Sequence, residues 1–240
     1  MKKILYSVAL AACCMGTMTS CSDFLDASNK SNVTAKQSFA TKEGLNNLVN
    51  NAYQHLQNVY AAPLFTSCFS AGTDMYADAR NKMNEALNTY ETLTPENTDI
   101  KNLYTYLYSG IRAANSVSYY AQTAQVDDKT KGQLVGEARV LAAYEYYLLV
   151  NNFGGVPIMK DFLTTADTGY PKSSAEDVYA YIISELEDVI GKNVLQASTA
   201  TKGGGRISQE TAKAILAKTY LSAAWDLNKQ EYFSKAAALA

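Results

Sequence analysis

Gly132-Gln-Leu-Val-Gly-Glu-Ala-Arg-Val-Leu-Ala-Ala-Tyr-Glu-Tyr-Tyr-Leu-Leu-Val-Asn-Asn-Phe-Gly-Gly-Val-Pro157 is the stretch on which the fold turns. Leu134, Val135, Ala138, Leu141, Ala142, Tyr144, Leu148 and Leu149 recur at helical offsets, and together they span a stripe too wide for one neighbour. A helix of this kind packs against other helices on more than one side. Tyr144, Tyr146 and Tyr147 read as core and interhelix packing, and Glu137 and Arg139 as a structural polar network rather than an active pair. The helix ends at Asn152-Phe-Gly-Gly-Val-Pro157, where two glycines free the dihedrals for a tight exit and Pro157 prevents the helix from resuming.

Working outward, the same period recurs on both sides. From Lys42, residues Leu45, Leu48, Val49, Ala52, Tyr53 and Leu56 share one face of a helix that ends before Pro63. His55 flanks that face and is the single histidine of the chain, so a paired-imidazole metal site or histidine-based acid–base scheme has little to build on. From Thr98 the period returns through Ile100, Leu103, Tyr104, Leu107, Ile111 and Ala114 to about Tyr120, and Gln122 to Lys131 reads as a polar loop. Ile158 to Tyr170 looks extended and exposed. Ser173 followed by Glu176 has the spacing of a capping box for a helix lined by Val178, Ile182, Leu186 and Val189. A helix rich in alanine starts after Ser208, carrying Ala212, Ile215, Leu216, Thr219 and Leu221. A last one, with Tyr232, Phe233, Ala236 and Ala237, begins at Glu231 and runs to Ala240 without a cap. The predicted fold is all-α, built of antiparallel helix pairs about as long as TPR helices, although no clean sequence period is visible. Its last helical signal stops in mid-pattern, as expected of a truncated chain.

The first residues belong to export rather than to the fold. Met1 to Cys21 opens with Lys2 and Lys3, continues through an apolar run from Ile4 to about Met18, and closes on small or polar residues before Cys21; the run is too short and interrupted for a membrane span. Met18-Thr-Ser-Cys21 fills the places of a lipoprotein processing box, so that Cys21 is the expected acylation site and the mature protein is tethered by lipid. The expected divisions are a signal peptide over 1–20, a lipidated cysteine and polar tether over 21–38, and a helical domain over 39–240, incomplete at its C-terminus. Cys13 and Cys14 leave with the leader. That leaves Cys68 without an intrachain partner, which excludes a disulfide framework and cysteine-pair metal sites; it reads as a small buried hydrophobe.

Charge and motif exclude several functions. The chain carries 21 basic against 23 acidic side chains, for a net charge of -2. With no basic stripe, nothing drives counterion release from a phosphate backbone, and a nucleic-acid partner is excluded. There is no Gly-x-Ser-x-Gly elbow, no His-Glu-x-x-His helix and no Walker loop; Lys202-Gly-Gly-Gly-Arg206 lacks the phosphate-loop spacing and reads as a turn ahead of a helix. No cofactor is expected. A glycoside hydrolase needs two carboxylates facing each other across a sugar. Glu137, Glu145 and Glu185 all sit on regular helices, where alternation with apolar residues explains them.

Several blocks in order over nearly the whole chain carry a family resemblance: Cys21-Ser-Asp-Phe-Leu-Asp26, Ser38-Phe39 with the Gly44 to Leu56 helix, Tyr108-Ser-Gly-Ile-Arg-Ala-Ala-Asn115, Glu137 to Tyr147 with Asn152-Phe-Gly-Gly-Val-Pro157, the Ser173 to Asp188 helix, and Gly205-Arg-Ile-Ser with Ala212 to Leu221. The chain resembles the SusD/RagB-like nutrient-binding outer-membrane lipoproteins of Bacteroidetes. The resemblance implies a scaffold of TPR-like helical hairpins with irregular loops, of which this chain looks like the N-terminal half. It also implies a non-catalytic cell-surface receptor, lipid-anchored in the outer membrane, that captures an oligosaccharide or a peptide and delivers it to a SusC-like TonB-dependent transporter. The alternative is a helical lipoprotein with a structural or protein-interaction role. Glycan capture stacks sugar faces on aromatic rings and hydrogen-bonds the hydroxyls, which the 18 tyrosines of the chain would suit. Asp74, Tyr76 and Asn81, in the irregular segment from 64 to 100, are the candidate ligand contacts. Trp225 is a further candidate platform, although its place at a helix end points to burial in the scaffold.

Overall fold

The computed structural model describes residues 34–61, 64–76, 85–165, 169–198 and 205–240. The leader, Cys21, most of the tether, Asn81 and the Lys202–Gly204 run lie outside the described residues. The chain divides into two compact units, 1–37 and 38–240. Of the first, a helical turn starting at Ala35 is described, where the Gln37 side chain accepts from Thr34 N at 3.0 Å. All that follows concerns the second.

Eight helices are described in it: α1 Lys42–Tyr60, α2 Leu64–Phe69, α3 Glu85–Thr89, α4 Thr98–Ala121, α5 Asp128–Phe153, α6 Ala175–Lys192, α7 Gln209–Asp226 and α8 Glu231–Leu239. The all-α expectation holds. The five long helices begin on a side chain that accepts from the first-turn amides: Thr41, Asn97, Asp127, Ser174 and Ser208. These oxygens satisfy donors that have no intrahelical partner, typically stabilising a helix by about 1 kcal/mol each.

Three local expectations are corrected by such contacts. The polar loop is shorter than expected, because the Asp127 carboxylate accepts from Thr130 N at 2.9 Å and starts α5 at Asp128. The capping box sits one residue later, on Ser174 and Asp177, with Ser174 Oγ accepting from Asp177 N at 3.0 Å and Asp177 Oδ2 from Ser174 N at 3.3 Å. Ser173 is taken by the turn before it, where its N–H donates to Val156 O at 3.3 Å and its carbonyl would lie 2.2 Å from a Cβ at position 155. Gly155 is what allows these backbones to meet. The third correction is that Ile158 and Met159 are half-buried rather than exposed. Tyr108 Oη donates to Pro157 O at 2.7 Å, Asn115 Nδ2 to Met159 O at 2.8 Å, and Tyr146 Oη accepts from Met159 N at 2.7 Å. The segment after α5 is thus strapped onto α4 and α5.

The directions of the helices follow from these long-range pairs. Tyr53 meets Glu137 and Tyr60 meets Tyr144, each 84 residues on, so α1 and α5 run parallel. Glu137 meets Arg206 just before α7, and Tyr147 meets Ser222 further along it, so α7 runs the same way. Between neighbours in sequence the order reverses: Tyr104 packs on Phe153 and Tyr108 on Tyr146, while Tyr146 packs on Tyr181 and Gly136 approaches Val189. The result is three hairpins, α1–α4, α5–α6 and α7–α8, in which α1, α5 and α7 are the parallel first members. This is the TPR-like arrangement. Its period is hidden in the sequence because the offset is 84 residues from α1 to α5 but 75 at the Tyr147–Ser222 contact between α5 and α7. Helices α2 and α3 and the strap after α5 fill the unequal connections.

Helix α5 is central, and Leu134, Ala138, Val140, Leu141, Ala143, Tyr146, Leu149 and Val150 bury nearly every side of it. Two carboxylates are buried with them. Glu137 is fully buried, and its Oε2 pairs with Arg206 Nε at 2.6 Å and accepts from Tyr53 Oη at 3.1 Å, while its Oε1 accepts from Gln133 Nε2 at 3.1 Å. Tyr53 Oη in turn accepts from Ile207 N at 2.8 Å, and Arg206 donates to Asn50 Oδ1 at 3.0 Å. One carboxylate therefore ties together the first members of all three hairpins. Arg139 is not part of this network: it pairs with Glu185 at 2.7 Å and Asp188 at 2.6 Å on α6.

Glu145 is the opposite case. It is fully buried, neither oxygen has a hydrogen-bond partner, and burial pushes its carboxyl well above the usual range. It occupies the notch that Gly110 of α4 leaves by lacking a side chain, since a Cβ there would lie 1.7 Å from Oε1. The neutral acid is the form that this environment accepts.

Replacement of Glu137 by Gln keeps the shape but strips the Arg206 pair of its charge, and is expected to lower unfolding stability by about 2–4 kcal/mol in urea titrations. Because Glu145 has a raised pKa in the fold, its contribution to stability is present below the ordinary carboxyl pKa and is lost as pH rises through the folded value. Over that window the stability difference between wild type and Glu145→Gln shifts in favour of the variant by up to about 1.4 kcal/mol per pH unit, and melts at a series of pH values measure it. A difference independent of pH would show that the carboxyl is not taking up a proton on folding.

Candidate functional site

Asp74 and Tyr76 sit in the turn that follows α2. Gly72 adopts φ +74°, Thr73 Oγ1 donates to Ser70 O at 2.8 Å, and Thr73 forms an isolated antiparallel bridge with Tyr76. The turn presents Asp74, Met75 and Tyr76 together at its exposed tip. Tyr90 closes its base, with Oη donating to Gly72 O at 3.4 Å. Such a turn offers a phenol face and a carboxylate to a solute, and neither residue lines any of the cavities described below.

Trp225 is 73% exposed, which corrects the expected burial. Position 225 lies on the face of α7 that carries Lys218 and the exposed Leu221, whereas Ala212, Leu216, Tyr220, Ala223 and Ala224 face inward. The indole is steadied by the edge of Phe233 of α8, with ring centroids 5.3 Å apart and planes at 83°. Its other surface is open to a flat apolar partner. The Asp74–Tyr76 turn and Trp225 are carried by different hairpins, so the candidates do not converge on one groove.

Several cavities lie on the scaffold itself. One of about 430 Å³ opens between α1, α5 and α7, lined by Tyr53, Leu56, Leu141, Tyr144, Ile215 and Lys218. A groove of about 380 Å³ lies between α1 and α4, with Phe39, Asn51, His55, Ser109, Arg112 and Phe162 on its walls. Arg112 also borders a third space of about 320 Å³ with Asn115, Met159, Asp161 and Thr164. These volumes fall within the range of small-ligand sites. The polar positions 109, 112 and 116 at helical spacing on α4 were the available sequence signal for the groove; its aromatic walls come from elements distant in the chain and gave none.

The arrangement does not support hydrolysis of a sugar. Glu137 and Glu185 are held in ion pairs and Glu145 is sealed in the core, so none of the three faces another carboxylate across a cleft. No group of three metal-binding side chains occurs among the described residues. Cys68 is half-buried rather than fully so, and burial beside the negative charge of Asp99 pushes its thiol up to about 11, which keeps it protonated and inert near neutral pH.

Comparison with known proteins gives a consistent result. A family model described as SusD-like, starch-binding associating with outer membrane, matches residues 23–221. A SusD-like protein P38 of Formosa agariphila is 28% identical over 179 residues, covering 72% of this chain and 34% of its own length. The crystal structure of a SusD homolog from Bacteroides thetaiotaomicron superposes with a TM-score of 0.71 at 21% identity, covering 88% of this chain and 42% of that one. Surface glycan-binding protein A from Bacteroides uniformis superposes with a TM-score of 0.69 at 26% identity, covering 82% of this chain and 44% of that one. The chain spans less than half the length of these relatives.

As Trp225 is the single tryptophan, its fluorescence reports one site. Emission is expected at the solvent-exposed end of the range with efficient acrylamide quenching, and Trp225→Ala is expected to change stability by less than about 1 kcal/mol. A blue-shifted, protected indole would contradict the placement.

Proposed function

Because this chain belongs to the SusD-like family, we propose that it is the helical scaffold portion of a non-catalytic receptor that captures an oligosaccharide at the cell surface. The observation that carries this reading is the likeness, over 82% of the chain, to a protein named for binding surface glycans. The exposed aromatics support it physically. Trp225 and Tyr76 each present an open ring face, and Asp74 and the proposed Asn81 supply hydrogen-bonding groups of the kind that read sugar hydroxyls. Affinity at such open surfaces is modest and depends on how firmly the rings are held.

Anchoring follows the same reading. Residues 1–20 act as a signal peptide, Cys21 is acylated, and 21–38 tether the helical domain that begins at residue 39 to the outer membrane. No helix among the described residues is long and apolar enough to cross a membrane. The partner that accepts the captured glycan, or a captured peptide, is a SusC-like TonB-dependent transporter. A second reading, a protein-docking scaffold, draws on the adjacent exposed Leu221 and Trp225 of α7, which form an apolar face of the kind that a polypeptide covers.

Calorimetric titration against a panel of neutral and charged oligosaccharides separates the two. Saturable binding without release of new reducing ends, weakened about threefold to tenfold by Trp225→Ala or Tyr76→Ala, is the expected result. Absence of binding to every glycan by the folded protein would turn the assignment toward the docking scaffold.

A further inference from the structure

The groove between α1 and α4 contains a cation that forms no ion pair among the described residues. Of the described arginines, Arg139 and Arg206 are both held by carboxylates at 2.6–2.7 Å, whereas no ion pair among the described residues includes Arg112. Its guanidinium is exposed and held 5.5 Å from the centroid of the Phe162 ring, so its position is fixed by an aromatic face rather than by a charge. Phe162 belongs to the strap that Tyr108, Asn115 and Tyr146 bind to α4 and α5. Phe162 itself packs on Tyr119 and Tyr120 of α4.

Around it the walls combine ring faces and uncharged polar groups. Phe39 packs on Tyr120 at 4.8 Å and Tyr120 on Phe162 at 5.9 Å, which gives an aromatic floor of rings tilted 51–59° to one another. His55 lines the groove, and its buried Nδ1 has no hydrogen-bond partner. Burial lowers the imidazole pKa, so it stays neutral near pH 7 and serves as a hydrogen-bonding group rather than a second cation. Ser109 Oγ donates to Thr105 O at 2.8 Å, which leaves its lone pairs for a ligand hydroxyl. Asn51 is exposed at the rim.

We infer that this groove binds a carboxylate-bearing sugar residue, a hexuronate, with Arg112 reading the acid and the Phe39–Tyr120–Phe162 floor taking the ring. The inference rests on the glycan-receptor reading and specifies its substrate class. A guanidinium binds a carboxylate through two parallel, charge-assisted N–H donors, whereas the hydroxyls of a neutral sugar offer it only uncharged acceptors. One cation in the groove, with Asp161 in the adjoining cavity, matches a single negative charge better than a doubly charged phosphate. Each ring of the aromatic floor offers a face on which the apolar side of a pyranose can stack.

The test titrates the purified full chain with oligogalacturonides and with the same oligomers after carboxyl reduction, so that only the acid differs. The acidic series is expected to bind about tenfold tighter, and the preference is expected to shrink as salt is raised. Arg112→Gln abolishes the preference and Arg112→Lys keeps part of it because the charge remains without the fork; circular dichroism verifies that each variant is folded. Equal binding of acidic and reduced oligomers, or a preference that survives in folded Arg112→Gln, overturns the inference. Binding only of neutral glycans overturns it while leaving the receptor reading in place. Binding of no glycan at all removes the receptor reading and this inference with it.

Discussion

The fold depends on a single buried ion pair, Glu137 with Arg206. A carboxylate with no exposure costs several kcal/mol to desolvate, and it persists only where partners saturate it. Glu137 receives Arg206, Tyr53 and Gln133 at 2.6–3.1 Å, and those partners come from α1, from its own helix and from the segment leading into α7. The requirement is geometric as well as electrostatic. Sliding either neighbouring helix by one turn would strand the carboxylate, so the pair sets the register in which the three hairpins stack. Hydrophobic burial supplies most of the stability of the stack but does not by itself choose among registers.

A second constraint acts about two turns further along α5. Gly110 lets α4 approach closely enough to enclose the Glu145 carboxyl, and the same approach brings Tyr108 and Asn115 over the strap after Pro157. The strap then carries Phe162 to Arg112. Core packing and the presentation of a surface cation are thus linked through a few residues of α4, whose inner side meets α5 and whose outer side forms the groove with α1. The proposed acid-reading site is carried by the scaffold rather than by an irregular loop.

Much of the scaffold was legible because it is written in local periodicity. The α1, α4, α5, α6, α7 and α8 stripes each lie within a window of about two dozen residues. The stops at Gly154-Gly155-Val-Pro157 and the cap at Ser208 follow from backbone dihedrals and side-chain hydrogen bonds that involve only near neighbours. The errors were also local and had non-local causes. The capping box moved from Ser173 to Ser174 because Ser173 was engaged by Val156, and the strap was less exposed than expected because three side chains from two helices hold its carbonyls and one of its amides. Trp225 shows the same limit. Its position near a helix end said nothing about which way α7 faces, and that was set by the burial of Tyr220, Ala223 and Ala224 against its neighbours.

The sequence by itself determined helices α1 and α4 to α8, their order and the family resemblance, because each depends on residue types at fixed short spacings. Only the tertiary structure decided that Glu137 pairs with Arg206 rather than Arg139, that α1, α5 and α7 run parallel at unequal offsets, and that Arg112 lies over the Phe162 ring with no ion pair among the described residues. The physical reason is the range of the forces involved. Helix formation is settled within one or two turns, whereas the partner of a charge is chosen among all groups that docking brings within a few ångströms, whatever their separation along the chain.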